Sequence, residues 1–169
     1  MKYLMKENRL GGESPFKTWV SYEKGENSFR FKFESENSKL YSVSDKDNAE
    51  LFRGDVCEVF ISTGGKIDEY YEIEVAPSGA VFFAKVKHSD NGNELKMLEK
   101  NFKTEVKVDG NNYSVEIEIP FESVDYKGGV VYFNAYRIET EGGIADKNLI
   151  ALFPTLCGTF HTPSKFGVL

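Results

Sequence analysis

The chain has 169 residues, enough for one domain over 1–169 that buries a sizeable core without a covalent staple. Its net charge is −6 with a pI near 5.1, which makes nucleic acid and anionic membrane poor partners. No stretch approaches the roughly 18 apolar residues of a membrane span, and two cysteines, Cys57 and Cys157, are too few for a disulfide framework.

Both cysteines are expected as reduced thiols, with Cys57 a small buried hydrophobe. The start, MKYLMKENRLGGESP, lacks the apolar run of about 7–15 residues of a secretory signal. The expected location is therefore the cytoplasm, or the chain is a mature or excised module. The counts of 14 Phe and 9 Tyr beside a single Trp favour strands over helices.

Taken in order, FKTWVSYEK and SFRFKFES read as two strands joined at Gly25–Glu26–Asn27. Phe29, Phe31 and Phe33 alternate with Arg30, Lys32 and Glu34, the pattern of a half-buried strand. Trp19 reads as core filler. SDKDNAE, from Ser44 to Glu50, reads as a solvated loop; its acidic residues lack the spacing of a cation loop.

The central pair runs from Gly54 to Gly79. In GDVCEVFIS, Val56, Glu58 and Phe60 share one face, and Cys57, Val59 and Ile61 the other. In YYEIEVAPSG, Tyr70, Glu72 and Glu74 alternate with Tyr71, Ile73 and Val75. If these strands pair, one face is apolar and the other carries three carboxylates among aromatics. Like charges facing across strands destabilise the pair, so an offset is expected from Lys85, Lys87, Arg137, a bound cation or ligand hydroxyls.

AVFFAKVKH (80–88) is a third strand, SDNGNE is a turn, and LKMLEKNF stays unassigned. A second hairpin, FKTEVKVD and YSVEIEIP, turns at Asp109–Gly110–Asn111–Asn112 and stops at Pro120. VVYFNAYRIE, LIALFP and a closing FHTPSKFGVL complete the chain. About ten short strands with turns between them and almost no helical period give an all-β fold, an antiparallel β-sandwich.

Three classes of function fit the acidic face. Paired carboxylates are what a glycoside hydrolase needs, one acid and one base or nucleophile about 5–10 Å apart. Flat aromatics beside carboxylates are what a sugar-binding site needs, because sugar rings offer apolar CH faces and hydroxyl rims. Phe160, beside Gly158 and His161 in turn-like sequence, is expected to be exposed for stacking, with Phe52 a second platform. A protein-interaction sandwich is the third reading. With only His88 and His161, a histidine metal cage or a Ser–His–Asp triad is poorly supported.

GDVCEVFI, YYEIEVAPSG, FNAYRIE and FHTPSKFGVL follow one another here in an order that resembles the family 9 carbohydrate-binding modules, over about Phe16 to Leu169. The resemblance implies a jelly-roll-like sandwich, non-catalytic and commonly attached to xylanases and other glycoside hydrolases, binding xylan or glucan fragments in carbohydrate catabolism. It places a sugar between two aromatics, here Phe52 and Phe160, over Glu58, with Glu72, Glu74, Arg137 and His161 as further contacts. The departures are specific. Both clamp tryptophans of the family are Phe here, its hydroxyl-reading Arg and Asn correspond to Glu72 and Glu74, and Cys157 replaces an Asn. Acceptors thus replace donors. The family also implies structural calcium, with no ligand pattern here specific enough to name residues.

Overall fold

Phe29, Phe31 and Phe33 project into the core from one strand, and across from them on its neighbour stand Ile119, Ile117 and Val115. A computed structural model describes residues 1–36, 39–143 and 146–169. Its first sheet combines β1 (Lys2–Leu4), β3 (Thr18–Lys24), β4 (Ser28–Glu36), β9 (Lys103–Asp109) and β10 (Asn112–Pro120), in the order β1-β3-β4-β10-β9. The outward side of that sheet is a ladder of exposed ion pairs such as Arg30–Glu118 at 3.1 Å and Lys32–Glu116 at 2.6 Å. Such pairs add little stability, but they keep this face polar.

The second sheet contains β2 (Lys6–Glu7), β5 (Val56–Ser62), β6 (Glu69–Val75), β7 (Val81–Ser89), β8 (Gly92–Met97), β11 (Tyr132–Glu139) and β12 (Asn148–Ala151). Its order is β2-β12-β11-β5-β6-β7-β8, and β13 (Gly167–Val168) pairs with β11. All pairings in both sheets are antiparallel. Among the described residues the only helical elements are three short 3₁₀ turns, so none is long and apolar enough to cross a membrane. The all-β antiparallel sandwich expected from alternation is the observed fold.

The main core lies between the sheets. Cys57, Val59, Ile61, Tyr71, Ile73, Val75 and Phe133 meet the phenylalanines of β4 there. Cys57 is buried and unbonded to another cysteine, as expected, and burial pushes its thiol up to about 11.

Three expectations change. Gly92–Met97, read as a turn followed by an unassigned segment, forms edge strand β8 paired with β7. Trp19 is not core filler: it is half-buried on the outward side of β3, opposite Glu34, with Lys2 Nζ 4.9 Å from its ring. The loop Ser44–Glu50 is tied to the sheet rather than solvated throughout. Asp47 Oδ1 accepts from the Val81 N–H at 2.8 Å, and Asn48 Oδ1 from the Phe83 N–H at 3.0 Å.

Candidate functional site

A sheet that carried its apolar residues on one side only would leave the far side wet. The second sheet does not. Phe60 and Val56 of β5, Tyr70 of β6, Val86 of β7, and Tyr136 and Ile138 of β11 form a second buried cluster on the side away from the sandwich core. Alternation places Glu58 on this side between Val56 and Phe60, and Glu72 and Glu74 on it beside Tyr70.

Two segments cover that face. The first leads into β5 and brings Val43, Ala49 and Leu51 onto it. It is fastened by Asp55, fully buried, whose Oδ2 accepts from the Tyr41 N–H at 2.8 Å while its Oδ1 accepts from the N–H and hydroxyl of Thr140. Gly54 is required at its end, because a Cβ there would stand 2.9 Å from the Tyr41 carbonyl oxygen. The second segment follows β12 and brings Phe160, His161 and Phe166. Asn134 of β11 holds it, donating to the Phe153 carbonyl at 2.7 Å and accepting the Phe153 N–H at 3.0 Å.

Under these covers Glu58 is directly opposite Glu74, and Glu72 is two residues along the same strand face. They are 2 %, 2 % and 5 % exposed. Burial, then the charges of Glu74 and Glu72, pushes Glu58 well above the ordinary carboxylate value. Burial raises Glu72 to about 7 and, with the Glu72 charge and hydrogen bond, Glu74 to about 9. The hydrogen bond between Glu72 and Glu74 lowers the first and raises the second, so the pair holds a proton on Glu74. One oxygen on each, Oε2, has no hydrogen-bond partner.

The surroundings supply little compensation. Lys147 acts on Glu58 and Glu74, and its own amine is pulled down by burial and held up by those two carboxyls. The Phe52 backbone N–H donates to Glu74. At the Glu72 end, His161 Nε2 is 4.0 Å from Glu72 Oε1. The other ring nitrogen, Nδ1, shares a 2.7 Å hydrogen bond with the Tyr70 hydroxyl. Burial and His88 lower this imidazole to about 4, so it is neutral near pH 7.

Six of the seven residues singled out from the sequence meet at this face. The aromatics flank the carboxylates in order. Phe160 stacks on Tyr136 at 4.2 Å between centroids, and Tyr136 is the β11 neighbour of Glu58. On the other flank Glu74 takes the Phe52 N–H. Phe160, however, is 6 % exposed rather than open, because Tyr136 fills one ring face and donates its hydroxyl to the Phe160 carbonyl at 3.1 Å. Phe52 is 38 % exposed, with Lys147 Nζ 4.6 Å from its ring centroid.

Arg137 stands apart. It is opposite Cys57 in the β5–β11 register, so it points between the sheets and not at the carboxylates. Fully buried there, it pairs with Glu139 and donates to Thr18 Oγ1 at 3.1 Å. Lys85 is likewise on the other side, pairing with Asp125 at 3.6 Å. The cation that does act on the cluster is Lys147, in the stretch before β12 where no strand pattern points to a site residue. Among the described residues no three His, Cys, Asp or Glu side chains group as metal ligands, so the calcium implied by the resemblance receives no residues.

The family profile described as carbohydrate family 9 binding domain-like matches residues 20–169. Among solved structures, a candidate carbohydrate-binding protein from Bacteroides uniformis ATCC 8492 is similar over 99 % of this chain and 84 % of its own, with TM-score 0.83 and 14 % identity. A family 9 carbohydrate-binding module from Caldicellulosiruptor kristjanssonii, solved with glucose, aligns at TM-score 0.63 and 16 % identity over 98 % of this chain and 82 % of its own. The cellotriose complex of such a module from that organism aligns at TM-score 0.62 and 16 % identity, over 99 % and 80 %. No curated protein matches the sequence significantly. The chain belongs to the carbohydrate family 9 binding domain-like family.

Proposed function

We propose that this protein binds a glucan- or xylan-type oligosaccharide without cleaving it, in the service of carbohydrate catabolism. The sugar ring lies against Phe52 and the edge of Phe160, and its hydroxyls donate to Glu58. The observation that carries the reading is the order of groups across the sheet: Phe160 on Tyr136, then Glu58, then Glu74 holding the Phe52 backbone. Aromatic surface flanking acceptors is what a sugar ring with a hydroxyl rim requires. The structural neighbours solved with glucose and cellotriose support it. Because Phe160 is nearly closed and Lys147 rests on Phe52, little ring surface is free and the affinity is weak, with a dissociation constant on the order of 1 mM.

Calorimetric or NMR titration with cellotriose and xylotriose tests this. Binding is expected for the wild type and loss of it for Phe52→Ala, an exposed position where the fold survives truncation. Equal binding by Phe52→Ala removes the clamp, and no binding of either sugar by the wild type removes the function.

A further inference from the structure

The carboxylate cluster is richer in acceptors than a neutral sugar needs. Glu72 Oε2 and Glu74 Oε2 are both buried and both without a partner. A buried acceptor left unsatisfied costs about 1–3 kcal/mol, so two together mark a place where a donor belongs. The compensating charge is also lopsided. Lys147 serves Glu58 and Glu74, whereas Glu72 has beside it His161, 4.0 Å away and neutral. Glu72, which ionises at a lower pH than Glu74, is therefore the carboxyl on which no cation acts among the described residues.

The same face already accepts an ammonium group. Lys147 Nζ stands over the Phe52 ring at 4.6 Å while its charge acts on Glu58 and Glu74. An aromatic face beside carboxylates is the environment that holds an ammonium ion through cation–π attraction and charge-assisted hydrogen bonds. A sugar hydroxyl brings one hydrogen and no charge; an ammonium brings three hydrogens and a full charge. A metal ion is the poorer match, since no three acidic or imidazole side chains converge on a point among the described residues.

We infer that the Glu72–Glu74 slot is a subsite for the ammonium group of an amino sugar, so that the preferred ligand is a glucan-type chain with a free amine in place of a ring hydroxyl. This rests on the sugar-binding reading above and narrows it to one class. Phe52, Lys147 and His161 are the partly exposed side chains beside the carboxyls. Lys147 is the group an incoming amine displaces or stands beside.

Titration calorimetry at about pH 7.5, above the value of about 7 at which Glu72 ionises and where most of an amine still carries its proton, tests the inference with three trisaccharides: β-1,4-linked glucosamine, its fully N-acetylated counterpart, and cellotriose. The glucosamine trimer is expected to bind at least about tenfold tighter than the other two, a difference of about 1.4 kcal/mol. The net charge of −6 attracts any amine weakly, so Glu72→Gln, which changes that total by one, separates the site from the general field. Glu72→Gln abolishes the preference, while Lys147→Ala, which removes the competing amine, strengthens it. Cellotriose binding as tightly as the glucosamine trimer overturns the amino-sugar subsite and leaves sugar binding standing, as does a preference that survives Glu72→Gln. No binding of any of the three sinks the sugar-binding reading itself.

Discussion

Glu58 and Glu74 face each other across the β5–β6 pair, each 2 % exposed, with the Lys147 ammonium acting on both. Like charges in that relation oppose folding, and the chain tolerates them by keeping protons on the cluster.

The consequence is a stability that falls as pH rises. Glu72 and Glu74 hold their protons more tightly in the folded chain, at about 7 and about 9, than at the ordinary 4.5. Their contribution is therefore complete below about pH 4.5 and is lost as pH climbs through those two values. The melting temperature between about pH 5 and about pH 9 is expected to fall by roughly 5–10 °C, equivalent to a few kcal/mol. Glu74→Gln flattens the profile. A melting temperature that rises over this interval in the wild type contradicts the protonated cluster.

Tyr136 supports Phe160 in two ways, by stacking and by its hydroxyl. Tyr136→Phe keeps the stack and leaves the Phe160 carbonyl short of a donor, costing about 1 kcal/mol in urea unfolding. Tyr136→Ala removes both and costs about 3–5 kcal/mol, with sugar binding lost because Phe160 is unseated. Equal losses for the two variants would show that the ring does not matter.

Arg137 and Glu139 form a fully buried ion pair on the core side of β11. Arg137→Met strands a buried carboxyl and is expected to cost about 3–5 kcal/mol, whereas the double change Arg137→Met with Glu139→Gln recovers much of it. In the double variant ligand affinity stays at the wild-type level, since neither side chain reaches the carboxylate face. A large loss of affinity there, with the fold intact, would return Arg137 to the site.

Gly54 sets the height at which the cover over Leu51 passes the Tyr41 carbonyl. Its backbone is extended, so steric contact rather than conformation decides the outcome. Gly54→Ala pushes the cover off the sheet and costs about 1–3 kcal/mol by denaturant titration. Hydrogen exchange at Asp55, whose N–H donates to Tyr41 O at 2.9 Å, should speed up in parallel. Unchanged stability and protection would mean the backbone has room that the 2.9 Å contact denies.

Period-2 alternation was enough to place Glu58, Glu72 and Glu74 on one face and Phe29, Phe31 and Phe33 on the core, because a strand has two sides and the side chain's place follows from its position. The same rule puts Arg137 on the other side of the sheet from Glu58, in step with Cys57, once the β5–β11 register is known. Register is a relation between strands distant in sequence, and no local pattern encodes it. For the same reason the sequence left open what lies over the acidic face. It marked Phe160 as an aromatic in a turn, but only the fold, by bringing Tyr136 beneath it, closed the ring from solvent. Lys147 is the sharpest case: nothing around it signals a partner, and its amine acquires one because β12 ends up beside β11 and so near β5. Residue order determined which side chains share a face; the pairing of distant strands decided which of them meet, which are buried, and how little charge is left to balance three carboxyls.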